Sequence, residues 1–233
     1  MKKISNIGLK IKVLDFVADV FDCCIFIFKY ICGGAIVVLS MLFCLVVLDQ
    51  CTPKDYELEI QRDRKELHYQ GLKDQLVMAT DNYIQTVGKG SCLNGLILVE
   101  ACEDYGVDLK FALAQGHIES HFGTKGIASK TNSVFNVMSF DGLSAEQIIK
   151  KGKGYTHPDH SVKPYLKLLT TKYLVDKTEE DMFLEFVNIH GERYASNKNY
   201  EMQLLNIYNN IDSIVHISEI YNEYKRYKII LNK

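Results

Sequence analysis

The chain has 233 residues, 47% of them apolar and 24% charged, which is the composition of a folded protein and excludes an intrinsically disordered one. Its formal net charge of -2 excludes a global attraction to nucleic acid, and it contains no nucleotide-binding glycine loop and no CxxC pair. Tryptophan is absent, so aromatic contacts fall to 14 tyrosines and 11 phenylalanines.

Residues 1–29 carry Lys2, Lys3, Lys10, Lys12 and Lys29, and within them IKVLDFVADVFDCC has the apolar spacing of a helix lying along a membrane surface. Residues 30–48, YICGGAIVVLSMLFCLVVL, hold no charge. At 1.5 Å per residue they span about 28 Å, close to the hydrocarbon thickness of a bilayer. Lysines precede this run and the net acidic DQCTPKDYELEIQRD follows it, which predicts one transmembrane helix with the N-terminus cytoplasmic. The long leader, the long run and the lack of an A-x-A site favour an uncleaved signal anchor over a signal peptide. Asp49 and Gln50 disfavour lipoprotein processing at Cys51. Residues 49–75 are dense in both charge signs and predict a solvated helical stalk.

Residues 76–215 form the expected globular domain, with 216–233 as a C-terminal tail. Ser91 is placed to cap LNGLILVEACEDY, which Gly106 ends, and Asp108 to cap LKFALAQGHIESHF, which Gly123 ends. NSVFNVMSFDG has the content of a short strand closing in an Asp-Gly turn. Ser144 and Gln147 make a capping box for AEQIIKK. Ser161 opens VKPYLKLLTTKYL with Pro164 in its first turn, and EEDMFLEFVNIH and NYEMQLLNIYNNI complete the helices. The fold class read from this order is mainly α with a small β-hairpin. Cys92 and Cys102 can form a disulfide if the domain is exported, or stay free as small buried hydrophobes.

The most informative stretch is QGHIESHFG, where His117 and His121 flank Glu119. With Phe111 as the origin of a helical wheel, Ile118 and Phe122 fall near about 340° and 20° and define the core stripe. Glu119 falls near about 80°, while His117 and His121 fall near about 240° and 280°. A zinc peptidase needs its glutamate beside one of the two histidines, as in HExxH or HxxEH. Here the glutamate points away from them, and no third metal ligand is evident. Read alone, Glu119 is either an ordinary surface carboxylate or a general acid whose proton is held by a partly apolar cleft.

LAQGHIESHFGTKGIASKTNSVFNVMSFDG resembles the core signature of bacterial N-acetylglucosaminidases of glycoside hydrolase family 73, written AQAxLESGWG followed by NNLFGIK. Ala114, Gln115, Glu119, Ser120 and Gly123 fall in register with the first block, and Asn132 and Phe135 with the second. SVKPYLKLL is similar to the family's S-I-x-D-Y-x-x-L-L, and RYASNKNYEMQLLNIY to RYATDPNYAxKLxxLI, aligning Tyr194, Ala195, Asn199 and Tyr200. The resemblance implies a lysozyme-like fold, and a peptidoglycan hydrolase in which Glu119 protonates the glycosidic oxygen beside N-acetylglucosamine. Asn132, Phe135 and Tyr194 would line the sugar groove, with no metal and no cofactor. The family's second carboxylate follows NNLFGIK. Its candidates are Asp141, which directly follows the matching strand, Glu146 and Asp159. His121 and Phe122 replace the family's Gly-Trp, so a usual sugar-stacking surface is missing or altered. The expected partners are glycan strands and the membrane, with no nucleic acid. The expected location is a bacterial inner membrane, with the domain in the periplasm or cell envelope. Two other readings compete: a zinc-dependent peptidase using His117 and His121, and a silent wall-binding module on a lysozyme-like scaffold.

Overall fold

The computed structural model describes residues 53–137 and 143–231, with Val20, Cys24, Ile25 and Phe43. The expected anchor at 30–48 lies outside these residues except for Phe43, and Asp141 lies outside them too. Among the described residues no helix is long and apolar enough to cross a membrane. Contacts divide the chain into Met1–Arg62 and Asp63–Lys233. The second unit carries the fold described below.

Helix α1 (Pro53–Val87) takes in the expected stalk from residue 53 and continues past it. Leu67 is exposed, but Leu72, Leu76, Tyr83 and Ile84 are buried. Lys73 pairs with Glu100 at 2.6 Å, and the Tyr69 and Tyr224 hydroxyls meet at 2.8 Å. The packed domain therefore starts several residues before 76, because Leu72 and Leu76 lie one turn apart on one face.

Helix α2 (Gly95–Tyr105) is capped by Asn94, whose side chain accepts from the Leu96 amide at 2.9 Å, and closed by Gly106 at φ 68°. The expected cap, Ser91, is buried and donates instead to the Phe122 carbonyl at 2.6 Å. Helix α3 (Leu109–Ser120) has the expected cap, with Asp108 accepting from the Phe111 amide at 2.9 Å. Leu109 and every residue from Phe111 to Gly116 are buried, as suits a helix that is apolar or small on nearly all sides. It packs on α2 and on α8 (Tyr200–Val215).

Helix α3 stops at Ser120, short of Gly123. His121 and Phe122 both take left-handed backbone, φ 48° and 56°. Their amides close onto the carbonyls of His117 and Gly116 at 3.0 and 2.9 Å. The turn swings the Phe122 ring inward, where it is fully buried. A Cβ on Gly116 would stand 2.7 Å from that ring. Gly116→Ala is therefore expected to destabilise the domain by about 1–3 kcal/mol in thermal melts, as overpacking does. Added Phe122→Leu should recover part of the loss, giving a non-additive double-mutant cycle.

The short helix α4 (Ala128–Thr131) precedes the segment expected to be a strand. Its described part, Asn132–Val137, is a loop. Asn132 and Asn136 adopt φ 53° and 49°, which interrupts any extended run, and Val134 and Val137 are both buried instead of alternating in and out. Helix α5 (Ala145–Lys150) has the expected Ser144/Gln147 capping box. A 3₁₀ turn (Pro158–Ser161) leads into α6 (Val162–Leu168), which continues as a π-turn over Leu169–Tyr173. The Ser161 hydroxyl does not cap α6; it donates to the Pro158 carbonyl at 2.7 Å.

Helix α7 (Glu179–Leu184) is shorter than EEDMFLEFVNIH suggests. The chain becomes extended at Glu185 and doubles back through Asn188, whose side chain accepts from the amides of His190 and Glu192. The one β pairing among the described residues, Val187 with Arg193, closes this turn. The expected tail forms helix α9 (Ile217–Leu231), in which Tyr224 is buried and donates to Glu103 at 2.8 Å. Cys92 is exposed, Cys102 is buried, and both are free.

Candidate active site

Glu119 sits one residue from the end of α3, where the helix leaves the core. Its Oε1 accepts from the Tyr200 hydroxyl at 2.5 Å, and its Oε2 accepts from Asn136 Nδ2 at 3.2 Å. Burial pushes the carboxyl above the usual glutamate range, against the two hydrogen bonds, which favour the charged form. The residue keeps some surface open, so the group is poised to hold a proton and still meet a ligand.

Behind Glu119 runs a chain of donors. Tyr165 donates to Gln115 Oε1, Gln115 Nε2 donates to the Tyr200 hydroxyl at 3.0 Å, and Tyr200 donates to Glu119. Gln115 lies one turn before Glu119 on α3, so the same helix face supplies the acid and the amide that orients its partner. Burial, with the nearby Glu119 charge, holds Tyr165, Tyr194 and Tyr200 well above the usual tyrosine range. All three hydroxyls therefore stay protonated and serve as neutral groups around the acid.

Ser120 fixes the loop that carries Asn136. Its buried hydroxyl donates to the Val134 carbonyl at 2.5 Å and accepts from the Gly123 amide at 2.7 Å. On the other side, Tyr194 stacks on Phe186 at 4.6 Å and donates to the Phe135 carbonyl at 3.1 Å. Arg193 donates to both oxygens of Glu201 at 2.7 and 2.8 Å, and Glu201 also accepts from the Phe186 amide. That ion pair ties the turn bearing Tyr194 to the first turn of α8, which bears Tyr200.

Among the residues expected to line a groove, Tyr194 is partly exposed beside Tyr200, at 5.8 Å between rings. Asn132 instead donates to the Tyr155 carbonyl at 2.9 Å and pins the neighbouring loop. Phe135 is fully buried and stacked on Tyr165 at 3.8 Å, so it supports the site from beneath and offers no face to a sugar. Phe122, in the position of the family pattern's tryptophan, is likewise core.

Two of the three candidate second carboxylates have structural partners. Glu146 is exposed in the first turn of α5 with Lys130 at 3.5 Å, and Asp159 accepts from the Asn94 amide at 2.8 Å beside His157 at 3.2 Å. Asp141 lies outside the described residues.

The histidines face a different neighbour. His117 Nδ1 meets the Tyr83 hydroxyl of α1 at 2.8 Å, whereas Glu119 meets Tyr200 of α8. Burial, with His121 and Lys125 nearby, lowers His117 to about 4. No group of three potential metal ligands occurs among the described residues. A cavity of about 360 Å³ opens beside Cys102, Glu103, Asp108, Tyr208 and Tyr224. Asp108 precedes Glu119 by eleven residues, about 16 Å along α3. Its acid Glu103 is already bonded to Tyr224 and Lys228. This cavity is separate from the Glu119 site.

Sequence reasoning assigned no role to Gln115, Asn136, Tyr165 or Tyr200. Gln115 had a signal in its one-turn spacing from Glu119; the others come from distant segments.

A half-buried carboxyl that favours its proton, held at both oxygens by neutral donors beside aromatic rings, is the equipment of a glycosidic-bond-cleaving enzyme. The family model for glucosaminidase, described as mannosyl-glycoprotein endo-beta-N-acetylglucosaminidase, matches residues 96–213, just over half of the chain, and the protein belongs to that family. It is accordingly a glycoside hydrolase, and its mostly helical domain is consistent with a lysozyme-like architecture. A comparison with curated proteins finds no match.

Proposed function

We propose that the domain cleaves the β-1,4 bond of N-acetylglucosamine in peptidoglycan, with Glu119 as the general acid. The observation that carries this reading is the carboxyl whose two oxygens are held by Tyr200 and Asn136 while burial favours its protonated form. In the reaction the Glu119 proton passes to the glycosidic oxygen as the bond to the anomeric carbon breaks. The resulting carboxylate is met by the Tyr200 hydroxyl; water then bonds through its oxygen to the anomeric carbon and gives up one proton, which restores the acid form of Glu119. Tyr194 is assigned to the groove wall and Asp141 to the second carboxylate, so Asp141→Asn is expected to lose turnover on purified wall.

Residues 30–48, uncharged between lysine-rich and acidic flanks, support an anchor that holds the domain outside the cytoplasmic membrane of a bacterium, facing its substrate. Mass spectrometry of digested peptidoglycan tests the bond. New reducing-end N-acetylglucosamine is expected; reducing-end N-acetylmuramic acid or its anhydro form would refute the assignment.

The zinc-peptidase alternative separates cleanly. His121 holds left-handed backbone in a position where the family pattern has glycine. His121→Gly should keep glycosidase activity and gain up to about 1 kcal/mol of stability. A metal site using both histidines would be destroyed by the same change.

A further inference from the structure

Asn136 stands where the pattern NNLFGIK has glycine, and it keeps the left-handed φ of 49° that glycine adopts most readily. A side chain held in that conformation needs compensation, and Asn136 makes contacts that glycine cannot. Its Nδ2 donates to the Glu119 backbone carbonyl at 2.8 Å and to Glu119 Oε2 at 3.2 Å. These two bonds fix the orientation of the amide, because turning it over would set Oδ1 against two acceptor oxygens. Oδ1 is thereby committed as an acceptor, and it is buried with no hydrogen-bonding partner in the protein. Among the described residues only Ser133 Oγ shares that condition, and it lies three residues earlier in the same loop. Both atoms are shut off from solvent, so Asn136 meets Glu119 through Nδ2 alone.

We propose that Asn136 is a positioning residue for the acid, locking the Glu119 carboxyl through Nδ2 where the family pattern has only glycine. The proposal rests on Glu119 being the general acid. The Nδ2 bond favours the charged form of Glu119, so its loss moves the carboxyl further upward. Among the described residues, the titratable groups coupled to Glu119 are Tyr200 from α8, Tyr194 from the turn after α7 and Tyr165 from α6. All three stay protonated far above neutrality, so the alkaline limb of activity reports Glu119. A general acid must hold its proton, and activity is lost as pH rises through its pKa; a higher pKa moves that limb to higher pH.

The test uses Asn136→Gly in the full chain, which retains a residue suited to the left-handed backbone. On soluble peptidoglycan fragments its kcat/KM profile is expected to shift its alkaline limb upward. Asn136→Asp keeps an acceptor but replaces the donor by a charge. Its limb should move up at least as far. Unmoved limbs in both variants would overturn the positioning role. If Glu119→Gln is inactive while these variants behave as wild type, this inference alone fails. If Glu119→Gln is active, the general-acid reading fails instead.

Discussion

Glu119→Gln is expected to lose about 10²–10⁴-fold in kcat on purified peptidoglycan while leaving the protein folded and, at neutral pH, more stable. The amide oxygen can still accept from Tyr200, while its NH₂ faces Asn136 Nδ2 and that one hydrogen bond is lost. What disappears is the charge that burial disfavours. Because the folded pKa is raised, wild type carries no penalty below the unfolded value of about 4.3, and the penalty grows as pH rises through the folded pKa. The variant's advantage should therefore be absent near about pH 4 and appear toward neutrality, on the order of 1 kcal/mol, as is usual when an active-site strain is relieved. Thermal melts across pH check the stability half, and turbidity loss of wall suspensions the activity half. Retained turnover would remove Glu119 from the chemistry. A wild-type domain that does not cut wall would instead favour the silent binding module.

Tyr200→Phe is expected to lower kcat about ten- to a hundredfold, the value of a hydrogen bond to a group that becomes charged in the transition state. The bond at 2.5 Å matters most after Glu119 has given up its proton, so its loss falls on turnover more than on binding. It also removes a donor that favours the carboxylate, so the alkaline limb should move upward as in Asn136→Gly. The two variants differ in stability. Phenylalanine at 200 strands Gln115 Nε2, which loses its acceptor in the core, at a cost of about 1–3 kcal/mol. A variant with full kcat and an unshifted profile would show that Tyr200 only braces the fold.

Much of the scaffold was legible where a side chain answers its own backbone a few residues away. Asp108, Gly106 and the Ser144/Gln147 box belong to this kind, since caps depend on local chemistry. The separation of Glu119 from the histidines was legible too, because a helix turns 100° per residue whatever surrounds it. The turn after α7 was not. Its apolar spacing suits a helix, but the pairing of Arg193 with Glu201 and the Asn188 turn draw it into a bridge. The acid's partners were hidden for a similar reason. Tyr200 and Asn136 lie 81 and 17 residues from Glu119, and no periodicity encodes such meetings. Phe135, expected in the sugar groove, is held in the core by Tyr165, thirty residues later.

The packing of Phe122 against Gly116 also makes two positions interdependent. In the family pattern these positions are tryptophan and alanine, so this chain departs from it at both ends of one contact. With Phe122 turned inward, alanine at 116 collides with it at 2.7 Å. A ring returned to the surface would leave a void beside glycine. Neither change back is neutral on its own, so the two positions behave as one unit of packing, and only a paired exchange escapes the cost.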